Sequence, residues 1–223
     1  MLKNILNKAK VLIFDLEGTL LEMPVDWEGM RNKIRSYFSD NFGIDMHFKP
    51  VLEKIDEALS LLAQTKAKSE IDRIKEQALS ILESAHIEGA KKSVLYPGIF
   101  DLLEKLEKKN YILTVFTNSG KESTTILLEK NKINDYFKMI VTREDVDKPK
   151  PSPEGIEKII KAFKLTRENY LVIGDHPYDI LAGKAAKIRS VGLLSGISKK
   201  EDLLRVKADF ILEKAINLAQ FLE

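Results

Sequence analysis

Val11-Leu12-Ile13-Phe14-Asp15-Leu16-Glu17-Gly18-Thr19-Leu20 decides the fold of this 223-residue chain. An unbroken apolar run carries no polar alternation, so it reads as a strand buried on both faces, as in a parallel sheet. It ends on a carboxylate, Asp15. A second carboxylate, Glu17, follows two residues later, then a glycine suited to a sharp turn and the hydroxyl of Thr19. Open α/β sheets bind ligands just beyond the C-terminal ends of their strands, which is where this reading puts Asp15.

Downstream of Tyr96-Pro97-Gly98 the chain alternates between helix and strand patterns. A helix over about 99–109 leads to a strand at 111–116, and a helix over about 121–131 leads to a strand around 139–141. A helix after Pro153 leads to 171–173, a helix after Pro177 leads to 190–193, and 208–212 reads as a last short strand before a terminal helix. Repeated β-α units predict a Rossmann-like parallel sheet with helices on both faces, joined by right-handed crossovers. Residues from about 25 to 94 show no strand pattern. They read as three or four helices, with breaks near Phe42-Gly43-Ile44-Asp45, Lys49-Pro50, Thr65-Lys66-Ala67-Lys68 and Ile87-Glu88-Gly89-Ala90. The predicted division is therefore a core of 1–22 and 95–223 with an inserted α-helical domain at 23–94.

Composition narrows the function classes. The chain is 44% hydrophobic and 31% charged with a net charge of +2, so no electrostatic argument favours nucleic acid or an anionic membrane as partner. It has no cysteine, which excludes disulfides, thiolate metal sites and thiol nucleophiles. Residues 1–10 do not read as a secretory signal, and no stretch approaches the ~20 apolar residues of a membrane span. The expectation is a cytoplasmic protein, monomer or homodimer. Phosphate-loop and dinucleotide-binding glycine patterns are absent.

The chemistry collects at strand ends. Asp15 is a candidate nucleophile, since a carboxylate attacking phosphorus gives an acyl phosphate and splits hydrolysis into two steps. Asp175, in Gly174-Asp175-His176-Pro177-Tyr178-Asp179, follows another buried strand and in a parallel sheet can lie beside Asp15. Two adjacent carboxylates repel unless a cation or proton holds them, and Mg2+ suits an all-oxygen site. Asp179 reads as support for such a site, and His176 as a solvent-facing loop histidine. Thr117 and Asn118 precede a helix start, where a hydroxyl and N–H groups suit phosphate oxygens. A lysine in Lys148-Pro149-Lys150-Pro151-Ser152-Pro153 would neutralise the nucleophile and the phosphoryl charge. Lys148 and Lys150 each precede a proline in two overlapping registers, Lys148-Pro149-Lys150-Pro151 and Lys150-Pro151-Ser152-Pro153, and Lys150 is preferred because its register ends where the next helix begins. Trp27, Arg31 and His47 are read as packing or surface residues.

Asp15, Thr117, Lys150 and Asp175, taken together over residues 10 to about 212, resemble the haloacid dehalogenase-like hydrolase superfamily, in its phosphoglycolate phosphatase-like branch with a helical cap. The resemblance implies a Mg2+-dependent phosphatase acting on a small phosphorylated metabolite through an aspartyl-phosphate. Asp15 would be the nucleophile, Glu17 the acid/base, and Thr117, Asn118 and Lys150 the phosphate ligands. The metal would be held by Asp15, Asp175 and Glu17 through its main-chain carbonyl. The helical domain would act as a cap hinged near 21–24 and 93–97. Glu17 departs from the pattern, because phosphatase members carry aspartate there. Glutamate has similar acidity but a longer reach, which leaves open a catalytically weak or inactive binding protein. A phosphomutase is a further alternative.

Overall fold

The computed structural model describes residues 2–222, which fall into two compact units. One comprises the chain up to Met23 together with everything from Ser93 onward. The other is Pro24–Lys92.

The first unit is built on a six-stranded parallel sheet. Helix α1 (Leu2–Lys8) leads into β1 (Val11–Phe14). The short β2 (Leu21–Glu22) follows, and after the second unit β3 (Val94–Leu95) pairs with it antiparallel, Leu21 opposite Leu95. The segments expected to act as hinges thus contain a two-residue ribbon, too short to leave a periodic signature. Ser93 at its base is tied down as well: Asn131 Nδ2 donates to Ser93 Oγ at 2.8 Å, and Lys130 Nζ donates to the Ser93 carbonyl.

The chain is labelled as follows beyond the ribbon: α5 (Ile99–Lys108), β4 (Ile112–Phe116), α6 (Lys121–Lys130), β5 (Phe137–Val141), α7 (Glu154–Phe163), β6 (Tyr170–Gly174), α8 (Pro177–Ala185), β7 (Arg189–Leu193), α9 (Lys200–Arg205) and β8 (Phe210–Leu212). The expected terminal helix is a 3-10 segment, Ala215–Phe221, and α1 and α9 had no counterpart in the sequence reading. The strand order is β5-β4-β1-β6-β7-β8. β1 is central, pairing in parallel with β4 on one side and β6 on the other. This is the point where the strand order reverses, and the crevice at such a point is the usual ligand site of an open α/β sheet.

Both faces of the sheet are covered. Val11, Ile13, Phe116, Tyr170 and Val172 pack with Ile156 and Ile159 of α7 and Ala182 of α8 in one buried cluster. The alternate residues Leu12 and Phe14 are also fully buried, and α5 packs on β4 with Leu102, Leu103 and Leu106 inward. Burial on both sides is the physical cause of the unbroken apolar runs.

The second unit contains α2 (Trp27–Phe42), α3 (Val51–Leu62) and α4 (Lys68–Lys92). Asp26 caps α2 by accepting from the Gly29 N–H, and Gly43 ends it at φ +67°, a conformation natural to glycine. Met30, Ile34, Phe38, Phe48, Ile55, Leu59, Ile74 and Leu82 form this unit's own core. The break expected at 87–90 does not occur, because α4 runs through it. A lone glycine costs a helix only ~1 kcal/mol against alanine, and Gly89 and its neighbour Ala90 are buried in the fold. Trp27 meets the His86 ring edge-on at 5.5 Å, and His47 is exposed. No helix among the described residues is long and apolar enough to cross a membrane.

Candidate active site

The register of the sheet brings the strand ends together. Phe14 lies opposite Val115 of β4 and Ile173 of β6. Asp15 therefore emerges between the ends of those strands, one step short of Thr117 and Asp175. Its own N–H continues the ladder to the Ile173 carbonyl at 2.9 Å, and the Thr117 N–H does the same to Val141 at 3.0 Å. The backbones carrying these side chains are fixed by sheet hydrogen bonds.

Lys150 joins the strand ends. Its Nζ donates to Asp15 Oδ1 at 2.7 Å and to Asp179 Oδ1 at 2.6 Å. It also lies 5.4 Å from the centre of the Phe116 ring. Lys148 is exposed, whereas Lys150 is buried and is the one of the two lysines that reaches Asp15. The loop that delivers it is pinned from two sides. Glu154, at the start of α7, accepts from the N–H groups of Asp147 and Lys148, each at 3.0 Å. Asn118 clamps the Lys150 peptide itself: its Oδ1 accepts from the Lys150 N–H at 2.8 Å and its Nδ2 donates to the Lys150 carbonyl at 3.0 Å. The Asn118 amide, expected at the phosphate, thus holds Lys150.

Asp179 is 1% exposed, and its second oxygen accepts from the His176 N–H at 3.0 Å. His176 is not the solvent-facing loop residue that its position suggested. It is half-buried and caps α8, with Nδ1 accepting from the Tyr178 N–H at 3.2 Å. Asp175 is reached by the Thr19 hydroxyl, which donates to Oδ1 at 3.2 Å. Gly18, at φ +76°, gives the turn its shape, and any Cβ there would stand 2.6 Å from Asp175 Cγ. Thr117 Oγ1 accepts from the Ser119 N–H at 3.1 Å, so the hydroxyl proton points elsewhere.

The carboxyls are crowded. Asp15, Asp175 and Asp179 bring ligand oxygens within 4.8 Å of one another, a cluster that could hold a metal ion. Burial pushes Asp15 up to about 6 despite Lys150. Burial, then the charges of Asp15 and Asp179, push Asp175 up to about 8. Burial, then Asp15 and Asp175, push Glu17 up to about 8. Burial works against the charge on Lys150, yet the two aspartates outweigh it and its pKa rises. The arrangement is a buried cation bound to two carboxylates, Asp15 and Asp179, with the Asp175 and Glu17 carboxyls alongside favouring either protons or a second cation.

Sequence reasoning missed three features of this site. Asp179 as the second acceptor of Lys150 could have been inferred from its place four residues after Asp175, one helical turn on. The Asn118 clamp and the Phe116 ring beneath the ammonium group depend on tertiary packing and leave no local signal.

Comparison with known proteins agrees with this geometry. The profile of the haloacid dehalogenase-like hydrolase family matches residues 12–193. Pyrophosphatase PpaX of Anoxybacillus flavithermus is 28% identical over 212 residues, 95% of either chain. A phosphoglycolate phosphatase of Pseudomonas fluorescens is 28% identical over 194 residues, 84% of this chain and 70% of that one. Among solved structures, a hydrolase from Pseudomonas syringae superposes with a TM-score of 0.69 at 29% identity, covering 96% of this chain and 97% of its own. With the family profile spanning every strand from β1 to β7 and all the residues gathered around Asp15, the chain belongs to the haloacid dehalogenase-like hydrolases.

Proposed function

We propose that this hydrolase is a phosphatase that cleaves a small-metabolite phosphomonoester through an aspartyl-phosphate on Asp15. The observation that carries the reading is Lys150 Nζ, buried at 2.7 Å from Asp15 Oδ1 and 2.6 Å from Asp179 Oδ1. A lysine so placed keeps Asp15 ionised as a nucleophile and presents positive charge where a phosphoryl group would arrive.

The steps follow from the side chains. An Asp15 oxygen attacks phosphorus while the bond to the leaving oxygen breaks. Glu17, whose burial favours the protonated carboxyl over the charged form, gives its proton to that oxygen. The resulting Glu17 carboxylate then takes a proton from the water that attacks the aspartyl-phosphate, which frees Asp15 and releases phosphate. The Thr117 hydroxyl and Lys150 hold the phosphoryl oxygens. Asn118 acts at one remove, through the Lys150 backbone.

The donor set fits Mg2+. Every candidate ligand is oxygen, and the raised Asp15 and Asp175 describe carboxylates short of positive charge. Asp15, Asp175 and the Glu17 main-chain carbonyl are the residues we assign to it. When bound, the ion supplies charge neutralisation at the phosphoryl group. The helical unit Pro24–Lys92 is assigned the cap's role of substrate selection.

A second substrate class, a phosphoanhydride, is favoured by one observation: a relative matching 95% of the chain is named a pyrophosphatase. The test is phosphate release from p-nitrophenyl phosphate, phosphoglycolate and inorganic pyrophosphate, with Mg2+ or with EDTA. We expect Mg2+-dependent turnover of at least one, abolished in Asp15→Asn. Undiminished turnover in that folded variant refutes the reading.

A further inference from the structure

Asp175 is enclosed by two glycines from different parts of the chain. A Cβ on Gly18 would lie 2.6 Å from its Cγ, and a Cβ on Gly196 would lie 1.8 Å from its Oδ2. Gly18 belongs to the turn that carries Glu17. Gly196 belongs to the loop after β7, a segment outside the strand ends that supply the proposed chemistry.

The loop and the turn are tied by a closed circuit of hydrogen bonds. Ser195 Oγ donates to the Gly18 carbonyl at 2.6 Å. The Tyr96 hydroxyl donates to the Ser195 carbonyl at 3.0 Å. The Tyr96 N–H donates to the Leu20 carbonyl at 3.0 Å, returning to the same turn. Burial, then the charges of Asp175, Glu22 and Glu17, raise the Tyr96 phenol, which keeps it protonated as a donor.

The circuit matters because glycine makes the turn possible without making it rigid. On the N-terminal side of Gly18, its N–H donates to the Leu21 carbonyl at 2.8 Å, which orients the Glu17–Gly18 peptide. On the other side, the Thr19 N–H has only a longer bond, 3.2 Å to the Leu16 carbonyl, and the Ser195 hydroxyl makes the shorter contact to the same peptide. Proton transfer needs hydrogen-bond reach, and an error of ~1 Å costs on the order of a hundredfold. Glu17, longer by one methylene than aspartate, leans on that backbone being held.

We propose that Ser195, braced by Tyr96, is a positioning residue that holds the Glu17-Gly18-Thr19 turn so that the Glu17 carboxyl meets the leaving oxygen. The inference rests on the reading of Glu17 as the general acid.

The test exploits leaving-group chemistry. A p-nitrophenolate departs without a proton, whereas an alkoxide needs one. The constant kcat/KM reports the step in which Asp15 is phosphorylated. It is measured for p-nitrophenyl phosphate and for the fastest alkyl ester among phosphoglycolate and the glycerol phosphates, in wild type, Ser195→Ala, Ser195→Thr, Tyr96→Phe and Glu17→Gln. Loss of one positioning hydrogen bond predicts that Ser195→Ala loses about three- to tenfold more on the alkyl ester than on the aryl ester. Ser195→Thr, which keeps the hydroxyl, retains the wild-type ratio, and Tyr96→Phe moves the same way as Ser195→Ala by less. Tyr96→Phe also carries the test should Ser195→Ala not fold. Equal losses on both esters in Ser195→Ala, with a preferential alkyl loss in Glu17→Gln, overturn the positioning role and leave Glu17 as the acid. No preferential loss in Glu17→Gln overturns the reading of Glu17 and this inference with it.

Discussion

Lys150→Met keeps the buried stem of the side chain and removes its charge. In the wild type the ammonium group is shared by Asp15 and Asp179, whose side chains are 12% and 1% exposed. Removing one partner from a buried ion pair costs about 3–5 kcal/mol, because a charge is left in a poorly solvated site. A carboxyl can escape that cost by taking up a proton. Asp15 is already raised to about 6 by burial with Lys150 present, and without the lysine it rises further. The sign follows from linkage. A carboxyl whose folded pKa lies above its unfolded value of ~3.9 holds its proton longer in the folded state, so stability falls as pH rises between the two. The deficit of Lys150→Met relative to wild type is therefore smallest near about pH 5 and widens by up to about 2–3 kcal/mol near about pH 8, at ~1.4 kcal/mol for each pH unit above the Asp15 value. For a chain of this size ~1 kcal/mol shifts the midpoint by about 2–4 °C, so the drop at the higher pH exceeds that at the lower by roughly 4–12 °C. Thermal and urea unfolding in EDTA at both pH values measure it. Equal midpoints at the higher pH, or a deficit that shrinks as pH rises, would show that Lys150 does not neutralise these buried carboxylates.

Three further outcomes are expected. Asn118→Ala removes both bonds to the Lys150 peptide and lowers kcat about 10- to 30-fold, while Asn118→Asp, which keeps only the acceptor, falls between; a steady-state comparison that finds Asn118→Ala fully active contradicts the clamp. In the metal-free protein Asp15, Glu17 and Asp175 are raised chiefly by burial, so stability declines from about pH 4 to about pH 8. Mg2+ then raises the melting temperature more at the upper end, and an increment independent of pH argues against metal at these carboxyls. Gly196→Ala drives a Cβ into Asp175 Oδ2 and raises the Mg2+ concentration for half-maximal stabilisation several-fold, read by the same thermal titration.

The parts of this molecule that were legible in the sequence are those whose physics is local. β1, β4 and β6 are buried on both faces, so they appear as largely apolar runs, and each is followed at once by a polar residue, Asp15, Thr117 or Asp175, because the strand stops at the ligand crevice. Lys150 was legible because the prolines around it stop before α7 begins. What stayed hidden depends on contacts distant in sequence. The β2–β3 ribbon is two residues long on each side and is joined across the whole helical unit. α4 passes Gly89 because burial outweighs a small propensity cost. Asn118 engages a peptide thirty-two residues away, and Ser195 engages Gly18. None of these pairings has a spacing that a single sequence displays.

Covalent chemistry on Asp15 is decided by trapping the phosphorylated intermediate. Acid-quenching the Glu17→Gln variant during turnover of p-nitrophenyl phosphate, followed by peptide mass spectrometry, locates any phosphoryl group. The variant cannot deprotonate the attacking water, so the intermediate accumulates. One phosphoryl group is expected on the peptide that contains Asp15, absent when Asp15→Asn is added. Phosphate release by the wild type with no phosphorylated Asp15 in the trapped variant would contradict covalent chemistry on Asp15.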